Sequence, residues 1–297
     1  MIADRGRVEA KRFMKIDSHQ HFWCYDTARD AWITEEMAVL KRDFLPEQFA
    51  PECAANGIDA SVAVQADQSE NETNFLLHLA KKSSSIAGVV GWVNLLWPRA
   101  AERLEHFSHF EKLRGFRHVA QAEKGDRFLA RDDFVKGVAQ LRQFGFTYDI
   151  LIYARQLPAA IDLVARIPEQ RFVIDHLAKP EIKAKKAEPW ATLMREIAQN
   201  KNIFCKVSGL VTEADWHNWK PEDFKPYLNV VFEAFGADRL MFGSDWPVCL
   251  VAASYRQVKQ LTEDFVKGYS EVDRDKIFGG NAARFYGLKA AKHGFAA

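Results

Sequence analysis

The stretch Lys-Ile-Asp-Ser-His-Gln-His-Phe-Trp at positions 15–23 begins the pattern that decides the fold. Its first part, Lys15–His19, is predicted to be a short strand, and titratable side chains lie where this strand ends. Because alternate residues of a strand face the same side, we expect Asp17, His19 and His21 to point in one direction. Two imidazoles at this spacing are suited to sharing one divalent cation or one water molecule.

Seven further runs rich in β-branched or aromatic residues follow, with amphipathic segments between them, which is the pattern of β/α units around a parallel sheet. The eight predicted strands are Lys15–His19, Ala60–Ala66, Ala87–Leu95, Gly115–Val119, Thr147–Tyr153, Arg171–Asp175, Ile203–Ser208 and Arg239–Gly243. The predicted helices include Glu70–Lys82, Asp133–Phe144, Gln156–Arg166, Trp190–Gln199 and Pro226–Phe235. Gly57, Gly145 and Gly236 each follow a helical segment, where a left-handed C-cap is expected.

Eight strand–helix repeats in a chain of 297 residues predict a single-domain α/β protein. The expected architecture is a closed (β/α)8 barrel of the TIM type, for which about 250 residues are typical. An open, doubly wound sheet is the competing architecture, but the sequence has neither a G-x-G-x-x-G motif after the first strand nor a G-x-x-x-x-G-K-[ST] motif. We expect the barrel to span residues 14–288, with an N-terminal extension at 1–13 and a C-terminal tail at 289–297.

The charge balance limits the partners that the protein can have. Lysine and arginine number 41 and aspartate and glutamate 40, so the formal net charge of +1 argues against a general affinity for nucleic acid or an anionic membrane. No apolar run approaches the roughly 20 residues that span a bilayer, and the polar N-terminus lacks the apolar centre of a signal peptide. Four scattered cysteines fit reduced thiols. We therefore expect a cytoplasmic protein without nucleic-acid or membrane partners, and the sequence leaves a homo-oligomer open.

Two later strands also end in titratable residues. The sixth predicted strand delivers His176, and the eighth delivers Ser244 and Asp245 before Pro247 halts it. Any one of these side chains, taken alone, is more simply explained as a polar group bonded to loop backbone. Barrel enzymes build their sites at the carboxyl ends of the strands, so the joint occurrence of these residues with the first-strand histidines favours a catalytic site.

Three longer strings are far more specific than the histidine pair. Lys-Ile-Asp-Ser-His-Gln-His-Phe-Trp (15–23), Val-Ile-Asp-His-Leu-Ala-Lys-Pro (173–180) and Phe-Gly-Ser-Asp-Trp-Pro (242–247) closely resemble the amidohydrolase superfamily, of the amidohydrolase 2 type. The resemblance is to its branch of sugar-acid lactonases, which includes L-fuconolactonase and L-rhamnonolactonase, and it covers residues 14–288. It implies a (β/α)8 barrel and the hydrolysis of a lactone ring.

The resemblance also implies a set of site residues. His19 and His21 match the first-strand pair of the family, His176 matches the sixth-strand histidine and Asp245 matches the eighth-strand acid. The fourth strand has no lysine at a bridging position, so we do not expect a two-metal site. The fifth strand, Thr147–Tyr153, has no histidine at the place where single-zinc members of the superfamily often have a ligand. We expect zero or one divalent cation, with zinc as the first choice and His19, His21 and Asp245 as its ligands.

Hydrolysis of a lactone requires an activated water molecule and a stabilised oxyanion. Our hypothesis is that Asp245 takes a proton from that water as the general base, and that His176 acts as an electrophile or orients the reacting groups. Lys206 is unusual because it stands in the middle of the seventh strand, where an isolated buried ammonium would be too costly. We expect it to pair with an inward carboxylate such as Asp17 or to contact the substrate.

Five side chains are candidates for substrate contacts, and each has a purely structural alternative. Arg117 and His118 lie on opposite faces of the fourth strand, and the family-like string around them favours Arg117, although an ion pair in the barrel wall explains it equally well. Trp23 and Trp246 are candidate lids over a sugar ring, although packing on the barrel rim is the commoner fate of such aromatics. Gln65, at the end of the second strand, is a candidate for binding a hydroxyl.

The favoured function is therefore that of a hydrolase that opens a sugar-acid lactone such as L-fucono-, L-galactono- or L-rhamnonolactone. A decarboxylase or amide hydrolase that acts on a small carboxylic substrate is the alternative within the same superfamily. The missing fifth-strand histidine argues against the single-zinc decarboxylase arrangement. A non-catalytic protein that binds sugar acids is a third hypothesis, and the retained histidines and aspartate argue against it.

Overall fold

The computed structural model describes residues 14–289 and contains eight parallel strands that pair in chain order. The strands are β1 (Ile16–Gln20), β2 (Ala60–Val64), β3 (Ile86–Gly91), β4 (Leu113–His118), β5 (Thr147–Ile150), β6 (Phe172–Ile174), β7 (Ile203–Val207) and β8 (Leu240–Phe242). The predicted (β/α)8 barrel is confirmed. The predicted extension at 1–13, and all of the predicted tail except residue 289, lie outside the described residues.

The ring of strands closes between β1 and β8, just beyond the regular part of β8. The backbone N–H of Asp245 donates to the carbonyl of His19 at 2.8 Å, and the N–H of His21 donates to the carbonyl of Trp246 at 2.7 Å. Gln20 and Trp246 form a parallel bridge there. These bonds place the chain that follows β8 directly beside the end of β1.

Helices alternate with the strands around the barrel. They are α1 (Pro46–Asn56), α2 (Glu70–Lys82), α3 (Ala100–Ser108), α4 (Asp132–Ala139), α5 (Leu157–Arg166), α6 (Trp190–Ile197), α7 (Pro221–Phe235), α8 (Tyr255–Phe265), α9 (Glu271–Asp275) and α10 (Asn281–Tyr286). None of these helices, all within residues 14–289, combines the length and the apolar character needed to cross a membrane.

The start of α7 differs from the predicted start at Pro226. The helix begins at Pro221, because the carboxylate of Asp223 accepts the N–H of Lys220 at 2.8 Å and so satisfies a backbone donor at the helix terminus. Proline suits the first helical position, where its missing N–H costs no hydrogen bond. Pro226 is accommodated inside the helix.

Two apolar clusters surround the strands. The smaller cluster lies along Ile16 and Val62 of the first two strands, and α10 adds Phe285 and Tyr286 to it. The larger cluster includes most of the buried apolar side chains of the helices. Burial on both sides explains why most of the strands are short, largely apolar runs, and it makes the polar groups at the carboxyl ends of the strands conspicuous.

A bulge in β1 changes the direction of Asp17. The pairing of β1 with β2 shifts register between Asp17 and Gln20, so side chains no longer alternate regularly across this segment. The carboxylate of Asp17 accepts the hydroxyl of Tyr255 on α8 at 3.0 Å, whereas the imidazoles of His19 and His21 contact each other. The expectation that all three side chains point in one direction is therefore wrong for Asp17.

The close approach of β4 and β5 generates a prediction for stability. A Cβ atom at Gly115 would lie 2.2 Å from Oγ1 and 2.9 Å from the carbonyl oxygen of Thr147. We expect Gly115→Ala to lower the free energy of unfolding by about 1–3 kcal/mol, as measured by chemical denaturation, because the neighbouring backbone must move. Gly125→Ala, where no atom lies within 4 Å of the added Cβ, should change it by less than about 0.5 kcal/mol. Equal stability of the two variants would contradict this account.

Candidate active site

Four titratable side chains, from the end of β1 and from the segments after β1, β6 and β8, meet at the carboxyl end of the barrel. The Nε2 atoms of His19 and His21 are 3.1 Å apart. Oδ1 of Asp245 lies 3.4 Å from Nε2 of His21 and 3.8 Å from Nε2 of both His19 and His176. All four side chains are buried, and all except His19 line a cavity of about 340 Å³.

The backbone that carries His176 and Asp245 adopts a conformation that non-glycine residues rarely take. The φ angle is 53° at His176 and 58° at Asp245, and residues 177–179 continue in the same left-handed region. Each such residue costs of order 1–3 kcal/mol and persists only where the surrounding structure requires it. The fold therefore maintains a strained backbone at the two positions that bring these side chains into the cavity.

The segment that follows β7 contacts the imidazole ring of His176 at its Nδ1 atom. Nδ1 of His176 lies 2.9 Å from the hydroxyl oxygen of Ser208, within hydrogen-bond distance. A Cβ atom on the next residue, Gly209, would lie 2.5 Å from that same Nδ1, and the φ angle of Gly209 is 64°. Glycine at this position thus allows the close approach that fixes the imidazole.

The electrostatics of the site favour an ionised carboxylate at Asp245 beside neutral imidazoles at His19 and His176. Burial raises the pKa of Asp245, but the nearby His176, together with His21 and His19, outweighs it and brings that pKa below its usual range. Burial lowers the pKa of His176 to about 4, and it also lowers the pKa of His19 well below its usual value. At neutral pH, Asp245 is therefore ionised and can accept a proton or hold a cation.

Beneath these groups, Lys206 lies in the barrel with no exposed surface. Its ammonium donates to Oδ2 of Asp149 at 2.6 Å, lies 2.9 Å from Oδ1 of Asp175 and is 3.0 Å from Nδ1 of His19. The expectation of an inward carboxylate partner is correct, but the choice of Asp17 is wrong, because the bulge in β1 turns Asp17 towards α8.

Arg117 on β4 faces the cavity and joins the same set of charges. Its Nη1 lies 3.1 Å from Oδ2 of Asp175 and 3.3 Å from Nε2 of His19, while Nη2 donates to the carbonyl of Gln65. Burial raises the pKa of Asp175, but Lys206, His19 and Arg117 outweigh it and hold that pKa well below its usual value. Arg117 therefore forms the buried ion pair that was the alternative interpretation of the sequence, and it also lines the cavity wall.

Two of the predicted substrate-binding residues lie away from the cavity. Nε2 of His118 is 2.7 Å from a carboxylate oxygen of Glu123, and its ring stacks on Phe128. The buried amide of Gln65 donates to the backbone carbonyl of Arg117 at 3.1 Å. Both side chains therefore pack within the barrel wall, and neither of them lines the cavity.

The two predicted lid tryptophans differ in position. Trp246 is buried against Phe49, with the ring centroids 4.8 Å apart, and does not reach the cavity. Trp23 lines the cavity but is also buried, and its indole N–H donates to the carbonyl of Arg42 at 3.0 Å. Trp32, which like Trp23 follows β1, is 42% exposed and lines the cavity, so it is the exposed aromatic side chain of the cavity wall.

Several polar residues of the site were not singled out from the sequence. Asp149 and Asp175 belong to predicted strands. A charged residue within an apolar run is the signal that identified Lys206, and the same signal could have identified these two aspartates. The cavity also contacts polar side chains from four loops, namely Arg29, Gln68, Gln121 and Lys179. Loop residues of this kind carry no periodic pattern, so the sequence gives no comparable signal for them.

The described residues also offer ligands for a divalent cation. Nε2 of His19, Nε2 of His21 and Oδ1 of Asp245 are separated by 3.1–3.8 Å. Ligands about 2.0–2.1 Å from a tetrahedral zinc ion are about 3.3 Å apart, so these three atoms are spaced as ligands of one ion would be. A second group with suitable spacing is formed by His19, Asp175 and His176.

Comparison with known proteins agrees with this geometry. The family model described as amidohydrolase matches residues 16–288, nearly all of the barrel. This chain belongs to the amidohydrolase family. The family that the three sequence strings resemble is thereby confirmed.

Two relatives of this amidohydrolase are named for one activity. An L-fucono-1,5-lactonase of Burkholderia multivorans is 43% identical over 93% of this chain and 96% of its own length. An L-fucono-1,5-lactonase of Burkholderia ambifaria is 34% identical over 92% of this chain and 95% of its own length. A solved structure of an amidohydrolase from Burkholderia multivorans contains bound zinc and is similar with a TM-score of 0.90, at 43% identity, over 93% of this chain and 100% of that one.

The low pKa of His176 generates a prediction for stability as a function of pH. The unfolded chain binds a proton at this imidazole below about pH 6.5 and the folded chain only below about pH 4, so the free energy of unfolding falls as the pH drops between these values. We expect His176→Gln to reduce the difference in unfolding free energy between about pH 7 and about pH 4.5, measured by denaturant titration. The exposed His217, changed to Gln, should leave that difference as it is in the parent protein. A His176→Gln variant with the full pH dependence would contradict the assignment.

Proposed function

We propose that this amidohydrolase opens the ring of a sugar-acid lactone by hydrolysis, and that L-fucono-1,5-lactone is the substrate. The observation that carries the proposal is the position of the Asp245 carboxylate, which faces the cavity between His21 and His176. The names of the two relatives with 43% and 34% identity support the same substrate class. Hydrolysis of a lactone requires its ester carbonyl as the electrophile, a water molecule as the nucleophile and a base, and this carboxylate can be the base.

Asp245 is the general base of the proposed mechanism. Its carboxylate takes a proton from a water molecule as that water attacks the lactone carbonyl, so that a tetrahedral oxyanion forms. When the ring C–O bond breaks, the same carboxyl group returns the proton to the departing alkoxide. The strained backbone at Asp245 fixes the direction of the carboxylate during both transfers.

Arg117 and the imidazoles are positioned to stabilise the oxyanion. Arg117 carries a permanent positive charge into the cavity, while its contact with Asp175 holds the guanidinium in place. Buried donors of this kind act strongly because water does not screen them. His176, fixed by Ser208, keeps its other nitrogen near Asp245 and orients the carboxylate towards the attacking water.

A divalent cation, for which we propose zinc, would be held by His19, His21 and Asp245. When bound, it would supply Lewis-acid polarisation of the carbonyl and a more acidic water molecule. The spacing of the three ligand atoms and the zinc in the similar Burkholderia multivorans amidohydrolase support this choice of metal.

The loops around the cavity suit a hydroxylated ring. Trp32 and Trp23 meet edge to face, with the ring centroids 5.9 Å apart, and both line the cavity wall. An aromatic face covers the C–H surface of a sugar, while polar side chains bind its hydroxyls. Gln68, Gln121 and Lys179 are the polar groups that we assign to the hydroxyls.

The general-base role generates the first functional prediction. We expect Asp245→Asn to lower kcat for L-fuconolactone by at least about 100-fold, because the amide cannot take up the proton. Proton release with a pH indicator measures the rate, and circular dichroism checks that the fold is retained. Asp126→Asn, at an exposed ion pair with Arg155, is the matched control and should keep the parent rate. An Asp245→Asn enzyme with the rate of the parent protein would disprove the assignment.

A substrate panel tests the reaction class and the metal together. Metal-free and zinc-loaded protein are incubated in parallel with L-fucono-, L-galactono- and L-rhamnonolactone, and both acid formation and carbon dioxide release are recorded. We expect ring opening of at least one lactone without carbon dioxide, fastest for L-fuconolactone. Carbon dioxide release from any of these compounds, or no turnover of any lactone by either form, would refute the proposal.

A further inference from the structure

The guanidinium of Arg29, in the loop that follows β1, is held at the cavity by a carboxylate of its own loop. Its Nε donates to Oδ1 of Asp30 at 2.8 Å, and its Nη2 donates to Oδ2 of the same carboxylate at 2.6 Å. Nη2 also donates to the backbone carbonyl of Cys24. Asp30 is buried, so this bidentate pair fixes the plane of the guanidinium.

The turn at residues 26–30 holds this pair in place through its backbone. Oδ1 of Asp26 accepts the N–H of Ala28 at 2.9 Å and the N–H of Arg29 at 2.8 Å. The backbone N–H of Asp26 in turn donates to Oδ2 of Asp30 at 2.9 Å. The guanidinium is therefore oriented before any ligand binds, which lowers the entropy that binding costs.

Two N–H groups of Arg29 remain for a ligand. A guanidinium has five N–H donors, one on Nε and two on each of the terminal nitrogens. The bonds to Asp30 and Cys24 engage Nε and Nη2, and no group within residues 14–289 accepts a hydrogen bond from Nη1. Because Arg29 lines the cavity, the two donors of Nη1 can serve a molecule that binds there.

Asp67, in the segment that follows β2, supplies an acceptor beside these donors. It is half-buried and lines the same cavity. In the part of the chain that the structure describes, its carboxylate accepts no hydrogen bond and forms no ion pair. Hydrogen bonding to Asp30 raises the pKa of Arg29 above its usual value, and the nearby charge of Asp67 acts in the same direction. The carboxylate thus lies within electrostatic reach of the guanidinium and has acceptor capacity to spare.

A hydroxyl group is the ligand that suits both side chains. Its oxygen accepts from the guanidinium, and its hydrogen is donated to the carboxylate. A carboxylate on the ligand would be repelled by Asp67, and an ammonium would be repelled by Arg29. An ether or ester oxygen only accepts, so it would leave Asp67 without a donor. The pair therefore favours a neutral, hydroxylated molecule.

We propose that Arg29 and Asp67 form a hydroxyl-binding subsite that selects neutral, hydroxylated lactones over lactones with an anionic substituent or without hydroxyl groups. The inference rests on the proposed function and specifies its substrate class. Nη1 of Arg29 donates to a hydroxyl oxygen of the lactone, and a hydroxyl hydrogen is donated to Asp67. Arg29 forms no ion pair with Asp245 among the described residues, so the subsite is separate from the general base.

Binding to full-length protein is measured by titration calorimetry with two ring compounds that contain no ester. L-Fucose carries the ring hydroxyls of L-fucono-1,5-lactone, whereas tetrahydropyran is the same six-membered ring without hydroxyls. Asp67→Ala removes the acceptor and leaves the pair of Arg29 and Asp30 intact. Arg29→Lys keeps a cation beside Asp30 but loses the donors of Nη1. Asp162→Ala and Arg127→Lys, at an exposed ion pair of 2.9 Å, are the matched controls.

We expect the parent protein to bind L-fucose more tightly than tetrahydropyran. In Asp67→Ala and in Arg29→Lys, the Kd for L-fucose should rise at least about tenfold, because a charge-assisted hydrogen bond is lost. The kcat/KM for L-fuconolactone should fall by a similar factor, mainly through KM, because the subsite binds the substrate and the transition state alike. The two control variants should keep the Kd and the KM of the parent.

Two results would overturn the subsite. One is a parent protein that binds L-fucose no more tightly than tetrahydropyran, and the other is a folded Asp67→Ala variant with the Kd and the KM of the parent. Asp67→Ala decides the question should Arg29→Lys fail to fold. A parent protein that turns over no lactone, yet loses its affinity for L-fucose in Asp67→Ala, would retain the subsite and refute the proposed function alone.

Discussion

The backbone hydrogen bonds that close the barrel between β1 and the chain after β8 are the constraint on which the site depends. They join Asp245 to His19 and His21 to Trp246, so they fix the carboxylate and the first histidine pair within one small region. Residues 226 positions apart in the chain thereby become neighbours. An open sheet with the same strand order would leave β1 and β8 at opposite edges, and the same side chains would lie far apart.

A second requirement is the pairing of buried charge below the histidines. Lys206 and Arg117 are balanced by Asp149 and Asp175, all within the barrel interior. Removing one member of such a set leaves an uncompensated charge, which typically costs about 3–5 kcal/mol, so the four residues must act as a unit. Burial and the nearby Lys206 hold the pKa of His19 well below its usual value, and the site keeps a neutral imidazole next to an ionised Asp245.

Much of the fold and part of the site could be predicted from the sequence. Most of the strands were recognisable as short, largely apolar runs, and the glycines at 57, 145 and 236 marked helix ends, where each has a positive φ angle in the structure. His176 and Asp245 were recognisable because a titratable residue at the end of a buried strand is conspicuous. These signals are local, since they depend on the periodicity and the chemistry of neighbouring residues.

The remaining features depend on contacts between distant segments. The bulge in β1 turned Asp17 towards α8, Lys206 found Asp149 and Asp175 as its partners, and Trp246 packed into the apolar core away from the cavity. The sequence by itself determined the order of strands and helices and the residue types at the strand ends, because both follow from local pattern. Only the tertiary structure decided the direction and the partner of each side chain, because strand register and packing are set by residues far apart in the chain.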